Sequence, residues 1–264
     1  MIGFDHVGKA FTTASTDLVI DHATRQTRTR AVLRDLSVTF PQGEISAIVG
    51  RSGCGKSTML KLLSGEVAPD EGEILLPEEW HTAMLSPNPY VITWPSVLRN
   101  VAMAAGAGRT PEERMELAER MVKLVHLTGY EDLTPVELST GMRQRLGLAR
   151  VLASRAELLL LDEPFASLDF ITRAEMQQEL LDIQREMPRT MLLVTHQLEE
   201  ALLLAQHVYV VHDVHQDPAH AGDPAHILPT AVETFDLSGL AYPRDLADAR
   251  FVALRQEITA ACKR

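Results

Sequence analysis

The chain has 264 residues, 45% of them hydrophobic, and its 36 acidic against 25 basic residues give a formal net charge of −11 at pH 7. That length buries a sizeable core and suits one large α/β domain with room for a subdomain. The acidic balance argues against a nucleic-acid or anionic-lipid surface, because both rely on a basic face, so membrane association is expected to go through a protein partner.

The apolar runs, such as Leu158 to Leu161 and Met191 to Val194, have strand length and fall far short of the roughly 18 residues of a membrane span. Met1 to Lys9 has neither a basic start nor an apolar stretch, so no secretory signal is expected there. Cys54 and Cys262 are the only cysteines, which fits a reducing cytoplasm better than a disulfide framework.

In chain order, Ile2 to Phe11 alternates as a first strand and Ala31 to Phe40 as a second, with the polar run Thr12 to Arg30 read as an exposed loop or hairpin extension. Pro41-Gln42-Gly43-Glu44 turns into an apolar strand, Ile45 to Val49. There follows Gly50-Arg51-Ser52-Gly53-Cys54-Gly55-Lys56-Ser57-Thr58, and then a helix carrying Met59, Leu60, Leu62 and Leu63. A turn at Asp70 to Glu73 leads into Ile74 to Leu76, after which Pro77, Pro87, Pro89 and Pro95 interrupt regular structure. Helical spacing over Pro111 to Leu127 follows Thr110, an N-cap with proline at the first helical position. A second helix is expected from Ser139 through Leu152. His212 to Pro229, with three prolines and four histidines, reads as a solvated linker, since the His spacings match no familiar metal-ligand set. Phe251, Leu254 and Ile258 mark a closing amphipathic helix.

The glycine-rich turn is a phosphate cradle. The pattern G-x-x-x-x-G-K-[ST] lets backbone N–H groups converge on a polyphosphate at a helix N-terminus, while Lys56 adds a positive charge and Ser57 a magnesium-ligating hydroxyl. Leu158 to Leu161 ends in Asp162 and Glu163, which places two acids at the carboxyl edge of a parallel sheet. Asp162 suits magnesium held through water, and Glu163 suits polarising an attacking water. Met191 to Val194 is a further apolar strand, ending at Thr195-His196. Alone, such a histidine is more often structural; beside a phosphate loop and an acidic pair it reads as functional. Leu138-Ser139-Thr140-Gly141-Met142-Arg143-Gln144-Arg145 opens a helix as a second anion site, yet no strand precedes it to build a separate nucleotide pocket.

With two such surfaces in one chain, the sequence resembles the ATP-binding-cassette ATPases over nearly its whole length. Walker A (Gly50 to Thr58), the signature (Leu138 to Arg145), Walker B (Leu158 to Glu163), a D-loop-like Ser167-Leu168-Asp169 and the switch His196 follow in family order. The resemblance implies a P-loop NTPase core of RecA-like α/β type with an antiparallel β subdomain and an inserted α-helical signature subdomain. The expected division is 1–92 and 154–212 for the core, 93–153 for the helical subdomain, and 213–264 for the linker and final helix.

It also implies ATP and Mg2+ as cofactors, with Glu163, His196 and Lys56 catalytic. Gly50, Ser52, Gly53, Cys54, Gly55, Lys56, Ser57 and Thr58 would hold the nucleotide in one copy, and Ser139 and Gly141 would complete the site of a second copy. Asp169 joins them through the D-loop. Phe11 matches the adenine-stacking aromatic, a core aromatic being the competing reading. Thr140 departs from the usual second glycine of the signature.

Registering Trp94, Val97, Leu98, Asn100 and Val101 on the family's W-x-x-V-x-x-N-V stretch places Pro87 where its Q-loop glutamine stands. The metal set then reads Ser57, Asp162 and, one methylene shorter than glutamine, Asn88, with water as the alternative. The same stretch, near 86–103, is where the family meets its transmembrane permease. The G-M-R-Q-R ending, the Trp94 segment and Pro243-Arg244 before a final helix resemble the nitrate, sulfonate and taurine importer branch. The implied function is that of a homodimeric ATPase on a permease at the cytoplasmic face of the membrane, driving uptake of a small anion delivered by a binding protein. Competing readings are an importer for a phosphonate or thiamine-precursor type of solute, a cassette acting on DNA or ribosomes, and a weakly active member of a heterodimer. The acidic charge weighs against the second, while Pro87 and Thr140 motivate the third.

Overall fold

The computed structural model describes residues 1–15, 26–106, 108–212 and 228–263. Residues 16–25, within the polar 12–30 run, and residues 213–227, within the histidine-containing linker, lie outside the described residues. Nine strands and seven α-helices run in the order β1 (Ile2–Ser15), β2 (Gln26–Phe40), β3 (Ile45–Gly50), α1 (Lys56–Leu63), β4 (Glu71–Leu75), β5 (Thr82–Leu85), α2 (Val97–Ala104), α3 (Pro111–Leu124), α4 (Thr140–Ala153), β6 (Leu158–Asp162), α5 (Phe170–Glu186), β7 (Thr190–Val194), α6 (Leu198–Leu204), β8 (His207–Val211), β9 (Val232–Asp236) and α7 (Ala249–Lys263) among the described residues.

The strands form two sheets. A six-stranded sheet has the order β5-β6-β7-β3-β8-β9, parallel from β5 to β8 and closed by antiparallel β9; a three-stranded antiparallel sheet has the order β2-β1-β4. A parallel strand covered on both faces reads as an unbroken apolar run, and β6 and β7 are buried at all five positions. Side chains alternate between two cores. Ile45, Ala47, Leu159, Leu161, Met191 and Leu193 pack toward the helices of the signature region and α5, while Ile48, Leu158, Leu160, Leu192 and Val194 pack against α1 and the antiparallel sheet. Each of these leucines is worth roughly 2 kcal/mol of transfer free energy, so the sheet that positions the site is also the centre of stability.

The sequence and structure differ in instructive places. β1 and β2 are longer than the apolar alternation indicates: they continue as a paired ribbon through Phe11↔Arg30 and Thr12↔Thr29 to Ser15↔Gln26. The run Thr12 to Arg30 is polar and carries no apolar alternation by which a sequence could signal such a ribbon. The helix expected to Leu127 ends at Leu124, where Val125 closes it and His126 takes a left-handed φ of 54°. At its other end the expected cap is in place: Thr110 accepts from the Glu113 amide, and Glu113 returns a bond to the Thr110 amide. Ser139 likewise caps α4 through the Met142 amide.

Candidate nucleotide site

Three neighbouring strand ends build the site. Asp162 of β6 pairs with Val194 of β7, and Ile48 of β3 pairs with the same Val194, so the residues that follow each strand emerge side by side at one sheet edge. After β3 the chain must turn sharply without side-chain bulk. Gly50 has φ +154°, and a Cβ there would lie 2.3 Å from the Val211 carbonyl oxygen. Gly55, at φ +103°, faces Leu33 so closely that a Cβ would stand 2.7 Å from its Cδ2. These glycines set the loop that presents the first turn of α1 as an anion site.

Lys56 is buried, with 8% of its surface exposed, and its Nζ donates to the carbonyls of Gly50 and Arg51 at 2.9 Å each. The ammonium is therefore held against the loop by two of its own carbonyls. The thiol of Cys54, itself buried, lies 3.8 Å from that Nζ.

Asp162 is 2% exposed and accepts a hydrogen bond from the Ser57 hydroxyl. Burial raises its pKa above the ordinary carboxylate value, a shift opposed by the Ser57 hydrogen bond and by Lys56 and reinforced by Glu163. A desolvated carboxylate and a hydroxyl side by side are hard oxygen donors that fit magnesium. Among the described residues no cluster of three or more His, Cys, Asp and Glu is arranged to hold a metal ion, so a cation here would draw most of its ligands from phosphate and water.

Directly after β6, Glu163 takes a left-handed φ of 51° while its amide donates to the Val194 carbonyl at 2.9 Å. That conformation turns its side chain out of the sheet toward His196, whose Nδ1 lies 3.3 Å from Glu163 Oε1. Glu163 and His196 line one cleft of about 640 Å³ together with Phe11, Arg30, Val32, Ser52, Gly53, Gly55, Lys56, Ser57, Thr58 and Val194. Phe11 is 39% exposed at the cleft's rim, with the Lys9 ammonium 5.5 Å from its ring centroid.

Arg30 and Val32 were not singled out by the sequence. Arg30 faces Phe11 across the β1–β2 ladder, so the signal that finds it is strand register rather than any local motif. Other expected residues stand apart from this cleft. Ser139 and Gly141 do not line it; a Cβ on Gly141 would sit 3.5 Å from the Ser167 carbonyl, which places the signature helix against the D-loop-like segment. Asp169 caps α5, accepting from the Ile171 and Thr172 amides at 3.1 Å, and the Thr172 bond leads in holding its carboxyl below the usual value. Asn88 is also outside the cleft lining, its carbonyl accepting from the Ser86 hydroxyl at 2.7 Å. Pro87 lies two residues beyond β5, whose Leu85 pairs with Leu161 next to Asp162.

A family model described as ABC transporter matches residues 33–166, the stretch that holds the phosphate loop, the signature and the acidic strand end. The chain belongs to the ABC transporter ATPase family. It is 38% identical over 250 residues to SsuB 1 of Streptomyces avermitilis, an aliphatic sulfonates import ATP-binding protein, covering 95% of this chain and 88% of that one. Over 241 residues it is 36% identical to the taurine import ATP-binding protein TauB of Pseudomonas aeruginosa PAO1, covering 87% and 88% of the two chains. The nitrate import ATP-binding protein NrtD of Synechococcus elongatus matches at 36% over 220 residues, or 79% and 75%. Among solved structures, the dimeric bacterial ABC transporter cassette MJ0796 superposes with a TM-score of 0.68 at 25% identity, covering 81% of this chain and 95% of the cassette. The P-loop NTPase fold and an ATP-binding, ATP-hydrolysing role follow from these relationships.

Proposed function

We propose that this cassette energises uptake of a small anion of the nitrate, sulfonate or taurine type, acting as a homodimer on a permease pair that receives its solute from a binding protein. The observation that carries the reading is the single cleft joining the phosphate loop to Glu163 and His196, in a chain whose relatives are named for nitrate, taurine and sulfonate import. No helix among the described residues is long and apolar enough to cross a membrane, which suits attachment at the cytoplasmic face through the permease. Exposed Tyr90, Trp94 and Met103 offer apolar contacts in the 86–103 stretch assigned to that partner.

In this mechanism the amides at the start of α1 and the Lys56 ammonium bind the polyphosphate, and Phe11 stacks on the base. Glu163 accepts the proton of the attacking water while His196 orients the terminal phosphate. Bound magnesium would neutralise phosphate charge, with Ser57 and Asp162 as its protein oxygens and Asn88 or water at the place of the absent glutamine. Ser139 and Gly141, which do not line their own cleft, close the partner's. The helical residues 93–153 then act as the arm that brings them there.

Reconstituting the chain with its permease and binding protein in vesicles tests the assignment, reading ATP-dependent uptake of taurine, alkanesulfonates and nitrate separately. Uptake of one of these anions is expected; hydrolysis that responds to duplex DNA and never to a solute overturns it. Pro87 supports a second reading, a weakly hydrolysing member of a heterodimeric pair, because proline has no side-chain donor or acceptor. Pro87→Gln should then raise basal turnover or change its metal dependence, and an unchanged rate and metal preference argues against that reading.

A further inference from the structure

We propose that Arg173 is a positioning residue for hydrolysis: one guanidinium braces the loop that carries Glu163 against the loop that carries His196. Arg173 sits in the first turn of α5, its amide bonded to the Asp169 carbonyl at 2.9 Å. From there one terminal nitrogen donates to the Leu168 carbonyl at 2.8 Å and the other to Gln197 Oε1 at 2.9 Å. Leu168 closes the turn that begins at Glu163, through Ala166 N to Glu163 O at 3.3 Å and Leu168 N to Phe165 O at 3.2 Å. Gln197 directly follows His196. One planar fork therefore spans the two segments whose side chains meet as the Glu163–His196 pair.

The other side of the His196 loop is fixed from within. Thr195 donates its hydroxyl to Glu200 Oε2 at 2.6 Å and accepts the Gln197 amide at 3.0 Å. Glu200 is 3% exposed, and its second oxygen faces Arg173 Nε at 3.7 Å. Both of those atoms are buried without a hydrogen bond, so the pair stands just short of contact. A shift of under 1 Å of either side chain would close it, tying the start of α5 to α6, the helix that follows the switch histidine. Misplacement on that scale matters at a hydrolytic centre, where about 1 Å costs up to roughly 100-fold in rate.

The competing account is that Arg173 merely neutralises a buried Glu200, whose charge is costly when left alone. The two differ in what geometry they demand. Lysine at this position still supplies charge to Glu200, but its single ammonium cannot reproduce the fork that reaches Leu168 and Gln197 together. Steady-state ATPase rates and fluorescent ATP-analogue binding on the purified full chain, for Arg173→Lys, Arg173→Ala with Glu200→Gln, and Gln197→Ala, decide between them.

A brace predicts kcat down roughly 10- to 100-fold in Arg173→Lys and in the double variant, with KM and analogue affinity within about twofold of wild type. Gln197→Ala, which removes one arm without touching a charge, should lose several-fold in kcat and serves if the other variants fail to fold. Turnover within twofold of wild type in Arg173→Lys or in Gln197→Ala overturns the proposal, as does recovery of kcat on combining Arg173→Ala with Glu200→Gln. The inference rests on Glu163 and His196 as the hydrolytic pair, so Glu163→Gln is measured alongside. Wild-type turnover in Glu163→Gln removes that reading itself, whereas an inactive Glu163→Gln beside a fully active Arg173→Lys removes only the brace.

Discussion

Lys56 shows how far the loop itself sets one residue's position. Its ammonium, nearly out of solvent, is satisfied by two loop carbonyls, and these must release it in part when phosphate binds. Lys56→Ala should therefore abolish measurable ATP-analogue binding while costing little stability, because the freed carbonyls belong to residues that are not buried, Gly50 and Arg51; analogue affinity near wild type would contradict this. Asp162 carries the opposite balance. Its pKa is raised by burial, so in the window between its unfolded and folded values the folded state holds more protons, and this group's contribution to stability falls as pH rises through that window. Asp162→Asn removes a desolvated charge. The ligand-free variant should melt a few degrees higher at neutral pH, on the order of 1 kcal/mol, and yet lose magnesium-dependent hydrolysis. A lower melting temperature in Asp162→Asn would mean that the Ser57 hydrogen bond outweighs the desolvation. Residues like these were legible in the sequence because their chemistry depends on contiguous spacing. Arg30 was not, since only the pairing of two ribbon strands carries it to the cleft beside Phe11.

Among the elements, the sequence read best where one period persisted, as in α3, α4, β6 and β7, and worst where prolines crowded short pieces. β5 and α2 fall on either side of the Pro87 to Pro95 stretch and have 4 and 8 residues, too few for a period to stand out. α5 is hard to read in the sequence for a different reason: its buried positions, Met176, Gln177, Leu180, Ile183 and Gln184, mix apolar with polar residues, which flattens the pattern. What orders the proline-rich stretch is Asn100 on α2, fully buried. Its amide nitrogen donates to the carbonyls of Ile92, Pro95 and Ser96, and its Oδ1 accepts from the Ile92 amide at 3.0 Å and from Arg150 of α4 at 2.6 Å. The side chain thus ties the 92–96 loop to the signature helix. Asn100→Ala should cost about 3 kcal/mol, since it leaves several buried polar groups unpaired, and denaturant unfolding measures it directly. Because no residue of this tether lines the cleft, ATP-analogue affinity in the folded variant should stay near wild type while permease-stimulated hydrolysis falls. Loss of analogue affinity in step with stability would place Asn100 in the nucleotide site instead.

At the scale of the whole molecule, the decisive fact is that the signature and the phosphate loop of one chain do not meet. Gly141 sits by Ser167, and neither it nor Ser139 lines the cleft that holds Lys56 and Glu163, so in the proposed reading each chain contributes two halves of different sites. A two-fold pair of chains would satisfy both at once, each signature closing the other's cleft, as an isologous interface requires. Mixing variants tests this geometry. Lys56→Ala and Gly141→Asp should each be inactive alone, the first lacking phosphate binding and the second placing a carboxylate against the incoming phosphates. In a mixed dimer one composite site inherits both defects and the other inherits neither. Random mixing in equal amounts then gives half mixed dimers with one of two sites intact, so roughly a quarter of wild-type hydrolysis should return. Equal suppression at every mixing ratio would mean either that the sites fire only together or that Gly141 serves its own chain. Trapping nucleotide in the mixture separates these outcomes, because a composite site still occludes one nucleotide per mixed dimer, whereas a site completed within its own chain occludes none.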